Sequence, residues 1–434
     1  MIDRRAETFH VVTVVWGQPY VELFLDVALP NQATPGNLGA LPAGSRYRVF
    51  TSPEDADALA ASPALGRVKE LLPVDLVVMP ALSDASTGAL LRMTAAHRRA
   101  LAEAREARAA LVFLNADHFM SEGALAAVVR RHEAGSRAIV CAGLRVNRDT
   151  FIAALRARGD VRALAPRELV SLALERLHSF TRAHMADGEW TARRPIGVYW
   201  NVPGEGILAR CLYMHPRMVD PVRPEALPGG TIDQHYLVHA CPIREQIHVV
   251  SDSDELAVFE MSHLDAADTE MGAGGISPWR AARVLSRCDS HQRSYWTLPI
   301  HLHTRDIDDA WSPVEARAAR FACQVMRLRV PALWAYFASR RLRPVRRRAG
   351  EFTKRLRAAT RPLSARRMRR TVALAVRPLQ RLPERAVRGG RSVVHRTRRS
   401  LGLLAHSAAR PLQKFRKRTV RAGRRVLGRA RVGL

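Results

Sequence analysis

Cysteine is scarce in this chain and never regularly spaced. Cys141, Cys211, Cys241, Cys288 and Cys323 are odd in number, and no CxxC pair occurs. That excludes a disulfide framework and a zinc ribbon, and it fits a reducing compartment. Long apolar runs are missing too: no stretch of about 18 apolar residues exists to form a transmembrane helix. The start, MIDRRAETFHVVTVVWG, has no apolar core with a cleavage site behind it, so no secretory leader is expected. These absences predict a cytoplasmic protein. Phosphate-cradling glycine patterns are absent as well. The first apolar run ends Trp16-Gly17-Gln18-Pro19 without G-x-G-x-x-G, and neither GxxxxGK[ST] nor G-x-S-x-G appears. Dinucleotide-binding, P-loop and nucleophile-elbow readings therefore lose their signatures. MGAGGIS, from Met271 to Ser277, reads as a flexible loop.

Acids are nearly absent from one region. From Pro331 to Leu434 there are 32 Lys and Arg residues against Glu351 and Glu384 alone, while the first 330 residues hold 37 bases and 38 acids. The formal charge of +29 is thus a property of the tail, and the body is near neutral. The tail also repeats weakly: RPLQRLPERAVR at Arg377 and RPLQKFRKRTVR at Arg410 share seven of twelve positions. Pro344, Pro362, Pro378, Pro383 and Pro411 cut it into short helices at most, which predicts disorder or helix induced by a partner.

What is present is a regular alternation. FHVVTVVW (Phe9 to Trp16) reads as a buried strand, followed by a helix from Pro19 with Val21, Phe24, Leu25, Ala28 and Leu29 on one face. YRVFT (Tyr47 to Thr51) is the next strand, and Ser52-Pro53-Glu54-Asp55 opens another helix. VDLVVMP, a long helix over 87–108, ALVFL and RAIVCAG continue the pattern to Gly143. Strands and helices at this spacing predict crossover units on a parallel sheet, a three-layer α/β fold. After Asn147 the pattern loosens into an α+β half. It holds a helix over 166–180, the aromatic stretch GVYWNVPGEGILARCLYMHP, a Gly-Gly turn with a helix in GGTIDQHYLVHACP, and a strand in IHVVSDSDE. Residues 276–330 read as helical. The expected divisions are a nucleotide-binding half over 1–147, an acceptor or catalytic half over 148–330 and a polybasic tail over 331–434.

One stretch concentrates the chemistry: LVFLNADHFMSEGAL, from Leu111 to Leu125. In an open α/β sheet, ligands bind at the carboxyl ends of the strands, and Asp117 follows such an end. A divalent ion there needs hard oxygen ligands and would bridge to phosphate oxygens; Asn115 can offer a carbonyl. The competing reading is that Asp117 and Ser121 only cap the next helix. The order of the pieces resembles the GT-A class of nucleotide-sugar glycosyltransferases, and within it a bacterial branch of GT-A-like proteins. RMTAAHRRALAEAREA before the strand is similar to the helix preceding Asp-x-Asp in that class. ADHFMSEGAL resembles the run after the metal position, and GGTIDQHYLVHAC resembles the segment that carries the catalytic base. The likeness covers roughly residues 9–265.

The resemblance implies a GT-A-like sandwich with a mostly parallel central sheet and a basic tail. It implies Mn²⁺ or Mg²⁺ held by Asp117, with Asn115 beside it and His263 as a third ligand, and Asp233 as general base. Trp16 and Gly17 would border the nucleotide, and Glu54 or Asp55 would contact base or ribose. The donor would be a nucleotide-diphosphate sugar, the acceptor an envelope or lipid-linked molecule of unknown identity. Asn115 departs from the Asp of that class, which keeps an alternative in view: a catalytically inactive GT-A-like module whose basic tail binds anionic membrane or nucleic acid.

Other residues carry weaker signals. His97 lies on the stripe Leu90, Thr94, His97, Leu101 and reads as a packed core residue. His301 and His303 have the HxH spacing that on a strand points both rings one way. Asp252 and Asp254 follow a strand end, as loop caps or as a site. Trp200, Trp279, Trp296 and Trp311 either pack or line a sugar pocket. Beyond Arg340 only Phe352 and Phe415 are aromatic, so the tail lacks stacking platforms for single-stranded nucleic acid. An anionic membrane surface, where each Lys or Arg contributes about 1 kcal/mol, is the preferred partner of residues 331–434. The protein would then sit peripherally on the inner membrane face.

Overall fold

The apolar, β-branched runs of the first half become adjacent parallel strands, and the two central ones, Thr8–Val14 and Ala109–Asn115, are covered on both faces. The computed structural model describes residues 5–80, 89–159, 162–221, 232, 235–263 and 271–359. The first four strands are β1 (Thr8–Val14), β2 (Arg46–Thr51), β3 (Val74–Val78) and β4 (Ala109–Asn115). Later in the chain, β6 (Ala138–Cys141), β11 (His215–Val219) and β12 (Ile247–Val249) join them. The sheet order is β12-β6-β11-β4-β1-β2-β3. Only β11 runs antiparallel to its neighbours; the others pair in parallel. The expected mostly parallel α/β sheet is what the chain builds.

The chain steps from β1 to β2 to β3 in one direction, then returns past β1 to β4, with the helix Ala89–Ala107 packed on β1 and β4. Right-handed crossovers running in opposite directions put their helices on opposite faces, which makes the three layers. The helix after β1 starts at Gln18 and widens into a π-helical turn at Phe24–Ala28. Pro30 follows; it has no N–H to give to the carbonyl of Asp26, so the regular ladder cannot continue there.

Three smaller sheets complete the fold. β5 (His118–Met120), β13 (Val258–Ser262) and β7 (Leu144–Asn147) form one, in the order β5-β13-β7. β9 (Gly197–Val202), β10 (Gly206–Cys211) and β15 (Ile300–His303) form another, and β8 (Trp190–Ala192) pairs β14 (Met271–Ala273). A second apolar cluster holds Trp200, Trp296, Trp311 and Val325. These three tryptophans are fully buried, so they pack rather than line a sugar pocket, whereas Trp279 is 40% exposed. His97 is buried edge-on against Phe113, as its stripe predicted.

Three expectations need correction. The helix over 166–180 breaks into Pro166–Leu174 and Ser179–Arg182, because His178 caps the second piece through Nδ1 and Phe180 N–H. Residues 276–330 are not all helical: β15 interrupts them, since Ile300 and Leu302 pair with β10 as an edge strand. The last described helix, Ser312–Ala359, runs through Pro331 and Pro344 and so exceeds the short helices expected at the start of the tail. Arginine is a strong helix former, and each proline removes only one hydrogen bond from so long a helix. By internal contacts the chain divides into two compact units, 1–338 and 339–434. Residues 360–434, with the tandem repeat, lie outside the described residues. Among the described residues no helix is long and apolar enough to cross a membrane.

Candidate active site

The topology makes a crevice where the strand order reverses, between the carboxyl ends of β1 and β4. Such switch points are where open α/β sheets take ligands. Val14 lies opposite Asn115 in register, so Trp16-Gly17 and Asn115-Ala116-Asp117 leave the sheet side by side. Gly17 has φ of 81°, a left-handed conformation that glycine adopts without strain. Its N–H donates to Asp55 Oδ2 at 2.7 Å, and Ser52 Oγ donates to the same oxygen at 2.9 Å. Asp55 therefore fixes the turn after β1, and the structure brings Gly17 and Asp55 together. Glu54 is exposed beside them, its carboxyl held below the usual range by the Ser52 hydroxyl.

Asp117 does not cap a helix. Its carbonyl accepts from Met261 N–H at 2.8 Å, and the next three residues form β5. Ser121 does not cap one either. Its Oγ accepts from Ala257 N–H at 3.1 Å, and Gly123 begins the helix Ala124–Glu133. What replaces the cap is a cross-strand row: His118 pairs with Glu260, and Glu260 with Arg145. Arg145 Nε sits 3.0 Å from Glu260 Oε1, and its guanidinium lies 4.3 Å over the Phe180 ring.

Two carboxylates thus come within electrostatic reach of each other near the crevice. Burial, then the Glu260 charge, raise the Asp117 carboxyl well above the usual range, against the pull of Arg145 and Arg217. The Tyr20 phenol is raised by burial and then by Asp117 and Glu260, so Tyr20 faces the same pair from the helix after β1. Arg148 is also within electrostatic reach of Tyr20. Buried beneath them, Arg217 of β11 donates to His118 Nδ1 at 2.8 Å and to Cys141 Sγ at 3.0 Å. Asn115 N–H donates to the same His118 Nδ1 at 3.0 Å. With two donors on Nδ1, the proton of a neutral ring is on Nε2, and burial together with Arg217 holds His118 well below its ordinary pKa.

The segment is clamped from the end of the helical stretch after β1 and the turn that follows it. Asn31 is fully buried, donates to the carbonyls of Met120 and Arg162 at 2.8 and 2.7 Å, and accepts from Met120 N–H at 2.8 Å. Gly36 N–H donates to Glu122 Oε1 at 2.7 Å; a Cβ there would lie 2.6 Å from that oxygen, so only glycine fits so close an approach.

Hard oxygen donors placed near one another suit a divalent ion of the Mn²⁺ or Mg²⁺ kind, and the donor set here fits one. Asp117 has a carboxylate partner that sequence reading missed, Glu260. Its only signal was an acid inside the apolar strand Val258–Ser262. His263, just past that strand, lies 3.7 Å from Asp149 Oδ2, and its carbonyl accepts from His178 Nε2. Asp233 lies outside the described residues. A second group able to hold a metal, Asp252, Asp254 and His303, sits past the carboxyl end of β12, with ligand atoms within 4.8 Å of one another.

No protein-family model matches the sequence, and no curated protein matches it. Solved structures to which it is similar include TarS residues 1–349 of S. aureus, at 13% identity and a TM-score of 0.22, covering 31% of this chain and 36% of that one. Rv0371c from Mycobacterium tuberculosis H37Rv matches at 19% identity and a TM-score of 0.19, covering 33% and 69%. The mannosyltransferase PcManGT from Pyrobaculum calidifontis, in complex with GDP-Man and Mn²⁺, matches at 15% identity and a TM-score of 0.31, covering 78% and 81%. The chain spans little more than a third of the TarS fragment.

Proposed function

We propose that the chain is a glycosyltransferase that takes its sugar from a nucleotide-diphosphate donor bound in the crevice between β1 and β4. One observation carries this reading: Asp117 leaves the carboxyl end of β4 at the topological switch point, within electrostatic reach of Glu260, its ion-pair partner Arg145, and Tyr20. Trp16 and Gly17 border the nucleotide, and Asp55 keeps that border rigid by bonding Gly17 N–H. Asp117 and Asn115, with Glu260 and His263, would hold the cation. When bound, the ion neutralises charge that develops on the departing diphosphate. Arg145 and Arg148 offer positive charge to phosphate oxygens. Asp233 accepts the proton of the acceptor hydroxyl. The acceptor is an envelope or lipid-linked molecule. Calorimetry with GDP-Man and UDP-sugars, each with and without Mn²⁺ or Mg²⁺, tests the proposal. Cation-dependent heat that disappears in Asp117→Ala supports it, and no heat from any pair rejects it.

The same protein would rest on an anionic membrane, at the inner face, through residues 331–434. A specific feature of the helix Ser312–Ala359 supports this second element. Met326, Val330, Trp334 and Phe337 are 36%, 52%, 73% and 51% exposed. At ~100° per residue they fall within about 80° of the helix circumference. Val325 and Ala332, on the other side, are buried in the second core. An exposed apolar stripe that leads into an arginine-dense segment suits shallow insertion beside anionic headgroups. The inactive-module alternative shares this tail and lacks only the donor. Sedimentation of the full chain with phosphatidylserine vesicles decides the point: Trp334→Glu with Phe337→Glu should release it, and unchanged binding removes the stripe from the account.

A further inference from the structure

Two weak sequence signals, the SDSD loop and the HxH pair, meet in space. β12 ends at Val249, and the following loop is zipped to β15: His301 N–H donates to Ser251 O at 2.8 Å and Ser253 N–H to His301 O at 2.9 Å. His303 N–H closes the zip on Ser253 Oγ at 3.1 Å. His301 and His303 both pack their rings against Trp311. Their further partners differ: His301 Nε2 pairs with Glu315 at 2.7 Å, while the His303 ring turns to the loop acids.

His303 is almost fully buried, and both its ring nitrogens meet oxygen acceptors. Nδ1 lies 2.7 Å from the carbonyl of Arg305, which can only accept, so the Nδ1 proton is fixed there. Nε2 lies 2.8 Å from Asp252 Oδ1 and 3.9 Å from Asp254 Oδ1. A neutral ring therefore aims its remaining lone pair at two carboxylates, an arrangement that a shared proton or a metal ion between them satisfies. Bond lengths of ~2.1 Å in a tetrahedral site put ligand atoms about 3.4 Å apart, and the observed separations bracket that figure. A backbone carbonyl holding the far nitrogen is the support that metal-bound histidines ordinarily have. Arg167 chelates Asp254, with Nη2 at 2.7 Å from Oδ2, and holds its orientation. Asp252 and Asp254 are 49% and 38% exposed, so the carboxylate side is open. A cleft of ≈ 700 Å³ next to it is lined by Arg158, Arg167, Ser171, Thr304 and Arg305.

We infer that Asp252, Asp254 and His303 form a second divalent-cation site, of one nitrogen and two oxygen donors, with positions open toward the arginine-lined cleft. One imidazole and two carboxylates suit Zn²⁺ before Mn²⁺, and the open positions take water or an anionic oxygen that the arginines attract. The site is separate from the crevice: β12 lies three strands from β4, about 14 Å at ~4.8 Å per strand.

The test titrates the untagged full chain with Zn²⁺ alone by calorimetry, beside His303→Ala, Asp252→Asn and Asp117→Asn. A Zn²⁺ site kept in Asp117→Asn and weakened roughly 100-fold or more in both His303→Ala and Asp252→Asn supports the inference. Thermal melts without metal show whether each variant is folded; Asp252→Asn keeps the shape of the loop if His303→Ala does not. Equal Zn²⁺ affinity in the wild-type chain and Asp252→Asn overturns the inference, as does no Zn²⁺ binding at all, which would make the group an ion pair only. Loss in Asp117→Asn alone overturns it too, while leaving the crevice reading standing.

Discussion

Asp117 and Asp220 sit at opposite edges of the same sheet and are treated in opposite ways. Asp220 follows β11, whose antiparallel course carries it to the amino edge. There it takes Arg137 Nη1 at 2.7 Å, His132 Nε2 at 3.1 Å and Ala6 N–H at 3.1 Å. Burial alone would raise its carboxyl, but the His132, Ala6 and Arg137 contacts outweigh that and leave it below the usual range. Asp117, at the carboxyl edge, is raised by burial and then by the nearby Glu260 charge. A buried acid surrounded by donors ties elements together. A part-buried acid set against a like charge costs stability, and that cost is met where a ligand supplies the missing positive charge.

Breaking the amino-edge acid should have the largest effect. Asp220→Ala leaves Arg137 and His132 buried without their carboxylate, a loss of about 3–5 kcal/mol, read as a lower denaturation midpoint. The pH signature follows from the depressed pKa. The contribution is present above the ordinary value of 3.8 and is lost as pH falls through the lower, folded-state value. The variant's midpoint should therefore converge on that of the wild-type chain in strong acid. A constant gap across pH would mean that the carboxylate is not what stabilises this edge.

At the carboxyl edge the same kind of substitution should spare the fold and lose the ligand. Asp117→Asn removes a repulsion with Glu260, so stability should hold or rise. Mn²⁺-dependent donor binding should weaken roughly 100-fold, about 2.7 kcal/mol. A destabilised variant with intact binding would reverse the comparison.

The two edges also differ in how far the sequence exposes them. β1 and β4 are legible because each is apolar on both faces, and β2 and β3 because their short apolar runs come soon after in the chain. β5 is only His118–Met120, and its partner β13 lies about 140 residues downstream, so no local pattern announces the row from His118 through Glu260 to Arg145. Ser121 looks like a cap because Ser so often is one; its actual partner is Ala257, which sequence cannot place. β15 was hidden because IHLH is short and flanked by helix-like segments. Asp117 was legible from the strand that ends before it, whereas Glu260 and Asn31 become visible only once the chain is folded.

Asn31 is the test of that hidden layer. Asn31→Ala strips Met120 N–H and two carbonyls of their partners at a fully buried position, a cost of about 2 kcal/mol. Because β5 fixes Asp117 against Glu260, donor binding should also fall in the folded fraction of this variant. If stability drops while calorimetric affinity is unchanged, β5 is held by its sheet partners and the clamp is only structural.

The smallest expected effect is the most pointed. Asn115→Asp places a second full charge beside Asp117 without touching the Asn115 N–H that donates to His118. Cation affinity follows the number of charged oxygen ligands, so Mn²⁺ binding should tighten, on the order of 3- to 10-fold. Without metal the added carboxylate joins an already repelling pair, so the variant should melt slightly below the wild-type chain and recover when Mn²⁺ is added. That sign reversal is specific to a cation site. An acid added to a site that binds no metal only repels, and its melting temperature would stay low at every Mn²⁺ concentration. Reversal would make the carboxyl edge a place where negative charge is kept for a ligand, in contrast to Asp220, whose charge the protein neutralises itself.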